Sequence, residues 1–233
     1  PMDAYRAISE MLASLGDPYT RLRHHEETSA VFLGRHGGSV ALDPLGQVRP
    51  HSRPLIAEDL EGGLGYIRLS SLTDPGVVAE LRRVLQVMRD KEGIVLDLRG
   101  NPGGFSRVAD AIGDLLVGPG EDVGVDVGPD GAEAQVTGGD GAVTDRPIAV
   151  LVDGATASAA ERLARALEAT GRGFLVGEAT RGKGLAQATL VLPGGMTVMV
   201  SAAEMLDRDG RPLQGRGLRP GAREADGWLD SIP

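Results

Sequence analysis

A serine, a lysine and a glycine-rich turn are the residues of this chain best placed to do chemistry. Ser158 lies in Gly154-Ala155-Thr156-Ala157-Ser158-Ala159-Ala160-Glu161-Arg162-Leu163, after an apolar run and at the start of a helix-like pattern. Its spacing from Glu161 is that of a capping box, in which the two residues satisfy each other's free backbone N–H groups. Thr156 could take the cap position two residues earlier. The same place suits a nucleophile, because a helix N-terminus favours negative charge developing nearby. Local sequence leaves both readings open. Lys183 sits in Thr180-Arg181-Gly182-Lys183-Gly184. A serine hydroxyl needs a base to attack a carbonyl, and a lysine serves only when neutral. Burial or a neighbouring cation such as Arg181 would lower its pKa. The alternative is an exposed turn lysine. Asp97-Leu98-Arg99-Gly100-Asn101-Pro102-Gly103-Gly104 joins a buried strand to a helix. Its paired glycines can aim backbone N–H groups into a crevice, as an oxyanion hole requires. An ordinary tight turn would read the same way. The Lys-Ser/Thr pair of a Walker phosphate loop is missing.

Other chemistries find less support. His24, His25, His36 and His51 all fall in an irregular stretch with no HExxH pattern or clustered carboxylates, so no metal site is expected. Nothing in their spacing supports a Ser-His-Asp triad. The chain has no cysteine, which excludes disulfides, thiolate metal sites and a cysteine nucleophile. No cofactor motif is present. Aromatic residues are 3% of the chain, too few for base-stacking platforms. The net charge, 24 − 33 = −9, argues against a nucleic-acid-binding surface. No apolar run reaches the length of a membrane span.

The elements that must position these residues alternate between strand and helix. Ile8, Met11, Leu12 and Leu15 have helical spacing over 3–15, and Gly16-Asp17-Pro18 ends that helix. Residues 23–63 carry no lasting periodicity. Tyr66–Leu69, Ile94–Leu96, Pro147–Val152 and Phe174–Val176 read as short buried strands, with helices over 76–89, after Gly104, and from Ser158 to about Thr170. Such alternation implies βαβ units and a parallel sheet. Residues 121–146 suggest a hairpin or lid-like excursion. Gln187–Leu192 and Met196–Ala203 suggest two strands around a Pro-Gly-Gly turn. From Asp207 the chain is polar and turn-rich, and a surface tail is expected.

In order along the chain, DLRGNPGG (97–104), TASAAE (156–161) and VGEATRGKGLAQ (176–187) together resemble the carboxyl-terminal processing, or tail-specific, proteases. That family's pattern runs as a strand plus DLRxNxGG, then GSASASE, then VGExTFGKGxxQ. Asp17-Pro18-Tyr19-Thr20-Arg21 and Gly215-Arg216-Gly217-Leu218-Arg219-Pro220 also look like family segments. The resemblance implies an α/β, ClpP/crotonase-like core and a serine peptidase with a Ser/Lys dyad. It implies Ser158 as nucleophile, Lys183 as general base and Gln187 as a residue that orients the lysine. The oxyanion donors would be the N–H of Ala159 and of Gly103 or Gly104. The implied organisation is an N-terminal helix and irregular cap over 1–63, a catalytic core over 64–220 and a tail over 221–233. Family members usually carry a PDZ domain before the strand at Tyr66, and only residues 22–65 are available for one. Arg181 replaces the family's Phe, and Gly221 follows Pro220 where the family has Asp. A protein or peptide substrate, specificity for small or apolar residues, and a periplasmic or extracellular location with its export signal removed are implied as well. A homo-oligomer is left open. Two other readings share the fold: a non-catalytic module that binds apolar ligands or peptides, and a crotonase-type acyl-CoA enzyme. Retention of both Ser158 and Lys183 argues against them.

Overall fold

The protein is described from a computed structural model, which covers residues 2–23, 54–139, 141–192 and 196–221. The four histidines and most of the 22–65 interval lie outside the described residues. One sheet has the strand order β2 (Leu55–Asp59), β3 (Leu64–Leu69), β4 (Gly93–Asp97), β7 (Ile148–Val152), β8 (Gly173–Gly177). β3, β4, β7 and β8 run parallel, and β2 is antiparallel at one edge. β4 and β7 are buried along their whole length. β7 and the Ile94–Leu96 centre of β4 are accordingly continuous apolar runs rather than alternating ones, as expected of strands covered on both faces.

Helices α2 (Gly76–Val87), α3 (Ser106–Val117) and α4 (Ala159–Ala169) follow β3, β4 and β7. Their apolar stripes pack with the sheet into one core that includes Ile67, Leu81, Leu96, Ile112, Ile148 and Leu163. α1 (Met2–Ala13) belongs to a smaller cluster, where Leu12 meets Leu22 and Val198.

The second sheet runs β1 (Arg21–Arg23), β10 (Thr197–Leu206), β5 (Asp122–Gly128), β6 (Gly131–Val136), with β9 (Leu185–Val191) also paired to β10. The excursion between α3 and β7 is thus a true hairpin, and it adds two strands to this sheet. The expected surface tail is overturned up to Leu218. Leu213 is buried, and its N–H donates to Met205 O. Gly215 N–H donates to Gly182 O at 2.8 Å, and Leu218 N–H donates to Thr180 Oγ1 at 2.8 Å. These bonds tie the segment to β10 and to the lysine loop, which polarity and turn content cannot reveal in a sequence.

Candidate active site

β4, β7 and β8 are neighbours and parallel, so the turns that follow them emerge at the same carboxyl edge. Those turns are Leu98–Phe105, Asp153–Ser158 and Glu178–Gly184. Asp97 closes β4 with its carboxylate fully buried. It accepts from Tyr66 Oη at 2.6 Å, Arg68 Nη1 at 3.2 Å, and Arg99 N, Nε and Nη2 at 2.9, 3.0 and 2.8 Å. Burial alone would raise its pKa, but the bonds from Arg99 and Tyr66 outweigh it and hold the carboxyl below its ordinary value. Asp153 Oδ1 accepts from Gly100 N–H at 3.0 Å, and Ala157 N–H donates to Asn101 O at 2.9 Å. The first two turns are thereby tied together.

Gly103 packs directly on the serine turn. A Cβ there would sit 2.6 Å from Ala157 O and 2.8 Å from Ala159 N, and its φ of 93° disfavours any side chain. The Gly103 N–H is already taken, donating to Asn101 Oδ1 at 2.9 Å. The N–H groups of Gly104 and Ala159 have no hydrogen-bond partner among the described residues. Gly103→Ala is expected to lower stability by about 2 kcal/mol or more, from left-handed backbone strain plus collision with the serine turn. Urea unfolding measures it, and an unchanged midpoint would contradict the packing described.

Ser158 has φ 57° and ψ −122°, the sole positive φ outside glycine among the described residues. Ordinary N-caps are extended, and strain of this kind costs about 1–3 kcal/mol where surrounding structure imposes it. The imposing group is Glu161. Its fully buried carboxylate accepts from Ser158 N–H at 2.8 Å, Thr180 Oγ1 at 2.5 Å, Gly182 N–H at 2.7 Å and Lys183 N–H at 2.9 Å. The capping-box partner expected of Ser158 is therefore also the clamp on the lysine loop. Arg181 N–H adds a bond to Thr156 O at 3.0 Å. Thr156, the alternative cap, is fully buried, and its hydroxyl donates to Leu98 O at 2.9 Å.

Lys183 is half-buried, with Nζ 5.1 Å from the centre of the Tyr19 ring. Burial lowers its pKa from the ordinary 10.5; Arg21 and Arg181 push the same way, and Glu161 opposes them. Among the described residues, no hydrogen bond joins Ser158 Oγ to Lys183 Nζ. Gln187 lies on β9 opposite Ser201, and its Nε2 donates to Leu185 O at 2.6 Å, along its own strand. Sequence reasoning missed Tyr19 as a neighbour of the lysine, and it missed Gln214, whose Oε1 accepts from Gly184 N–H at 2.9 Å. Tyr19 carried a signal in the DPYTR segment; Gln214 carried none.

The family model for peptidase family S41 matches residues 63–223. The chain belongs to peptidase family S41. Within that family it is 34% identical over 183 residues to a carboxyl-terminal-processing protease of Synechocystis, covering 78% of this chain and 41% of that protein. It is 31% identical over 168 residues to the carboxy-terminal processing protease CtpA of Bacillus subtilis, covering 71% of this chain and 36% of that one. The chain thus spans about two fifths of the length of these S41 relatives. Among solved structures, the photosystem II D1 C-terminal processing protease matches with a TM-score of 0.75 at 22% identity, over 93% of this chain and 80% of that one. That likeness establishes the α/β fold.

Proposed function

We propose that this chain is the catalytic part of a serine endopeptidase of the carboxyl-terminal processing type. The observation that carries the reading is Glu161, one buried carboxylate that binds the N–H of Ser158 and the N–H of Lys183 together. A simple helix cap has no use for the second bond. In the proposed reaction, neutral Lys183 Nζ leaves the Tyr19 ring and accepts the Ser158 Oγ proton as Oγ attacks a peptide carbonyl carbon. Such contacts are often loose before substrate binds. The developing oxyanion rests on the N–H groups of Ala159 and Gly104. Protonated Lys183 then gives its proton to the leaving amine. Water hydrolyses the acyl-enzyme, with Lys183 again as base. Gln187, four residues along from Lys183, would hold its amine in the closed arrangement.

The test is cleavage of an unfolded protein together with labelling by a serine-reactive phosphonate. Wild type is expected to cleave and to gain one adduct on the peptide that contains Ser158. Ser158→Ala is expected to do neither while losing only about 1 kcal/mol of stability, the side-chain half of the capping box, since alanine keeps the same Cβ at φ 57°. Equal cleavage by Ser158→Ala would end the reading.

A further inference from the structure

The site carries more positive charge than a Ser/Lys pair uses. Arg181 is fixed beside the nucleophile turn by its N–H bond to Thr156 O, and its side chain is exposed. Arg21 opens β1, two residues after the Tyr19 whose ring lies against Lys183 Nζ, and it is exposed too. Arg23 falls on the same face of β1 as Arg21. Its Nε is buried with no hydrogen-bond partner among the described residues. Several other guanidiniums are matched to carboxylates: Arg68 and Arg99 to Asp97, Arg162 to Asp110 and Asp126, Arg211 to Asp209. Among the described residues, Arg21, Arg23 and Arg181 pair with no carboxylate. This holds in a chain where acidic residues outnumber basic ones 33 to 24. Glu161, the buried carboxylate bonded to the lysine loop, already accepts four hydrogen bonds and has nothing to spare for an arginine.

We infer that Arg21 and Arg181, with Arg23 behind them, form a carboxylate subsite beside Ser158 and Lys183. The peptide handled best then carries a carboxylate, from a side chain or from its chain terminus, close to the scissile bond. The inference rests on the peptidase reading for its substrate but not for its binding chemistry. A guanidinium offers a planar fork of donors that matches a carboxylate, and it stays charged at every working pH. After burial, Arg21 and then Arg181 push the Lys183 pKa down, as cations close to its amine do.

The experiment uses three labelled peptides with one core sequence: Gln-flanked with an amidated end, Glu-flanked with an amidated end, and Gln-flanked with a free carboxyl end. Binding is read first on Ser158→Ala by fluorescence anisotropy, and kcat/KM is then read on wild type. At least one carboxylate peptide is expected to bind about tenfold more tightly than the neutral one, and which does so identifies the source. The advantage is expected to shrink with added salt and to collapse to about onefold in the Arg21→Gln, Arg181→Gln double variant. Each ratio compares peptides on one protein, so any shift in Lys183 basicity cancels. Equal binding of all three peptides, or an advantage that survives in the double variant, would overturn the subsite. Carboxylate-dependent binding without cleavage by wild type would sustain the subsite and sink the peptidase reading instead.

Discussion

In the proposed reaction, Lys183→Met is expected to lower kcat/KM by about 10⁴-fold, because it removes the proposed proton acceptor for Ser158 Oγ. The same substitution is expected to raise stability at neutral pH. The pKa of Lys183 in the folded protein lies below the ordinary 10.5, chiefly through burial and then through Arg21 and Arg181. Between the lowered value and 10.5 the unfolded chain binds more protons than the folded one, so wild-type stability rises with pH across that window. Methionine has no proton to lose, so its advantage over lysine is largest below the window and fades as pH approaches 10.5. Lys183→Arg separates charge from basicity: it keeps the cation, cannot deprotonate, and is expected to be as inactive as Met without the gain in stability. Activity measured from pH 6 to 10, paired with thermal melts at each pH, checks both statements. Retained cleavage by either variant would remove Lys183 from the role of base.

Glu161→Ala is expected to cost about 3–5 kcal/mol of stability, since three backbone N–H groups and the Thr180 hydroxyl lose a buried anionic acceptor at once. Activity should fall at least about 100-fold even where the protein remains folded, because the serine turn and the lysine loop lose their common anchor. Glu161→Gln distinguishes anchoring from charge. It keeps the shape but presents an amide N–H₂ to at least one N–H donor, so a smaller loss of stability is expected. It also removes the negative charge that props up the Lys183 pKa. The acidic limb of its pH–rate profile is therefore expected to move to lower pH. Urea unfolding and the pH dependence of kcat are the two measurements. A Glu161→Ala protein as stable as wild type would contradict the hydrogen-bond assignment.

The strands and helices of the core were legible because their signals are local. β7 is an unbroken apolar run of five residues and β4 carries one of three, Ile94–Leu96, while α2 and α3 show apolar spacing with a helical period. The hairpin at β5–β6 was legible from its valines and glycines. The segment after Asp207 was not, because its order comes from pairing with Gly182, Gly184 and Thr180, about 30 residues away in sequence.

The same division applies to the site. By itself the sequence determined which residue types are present, their order, and the Ser158–Glu161 spacing that begins α4. The residues around Ser158 alone read as a cap as readily as a nucleophile turn, because the two share the same few residues, and only the distant motifs pointed to a nucleophile. The tertiary structure decided what else Glu161 holds. By placing β7 next to β8, it brings the lysine loop within reach of a carboxylate 22 residues earlier. It also decided that Asn101 Oδ1 occupies the Gly103 N–H, which leaves Gly104 the free donor. It set Tyr19 and Arg21 beside a lysine more than 160 residues away, through the pairing of β1 with β10. Periodicity and caps are fixed by neighbours along the chain, whereas a hydrogen-bond acceptor, a local pKa and a charge cluster depend on which strands lie side by side.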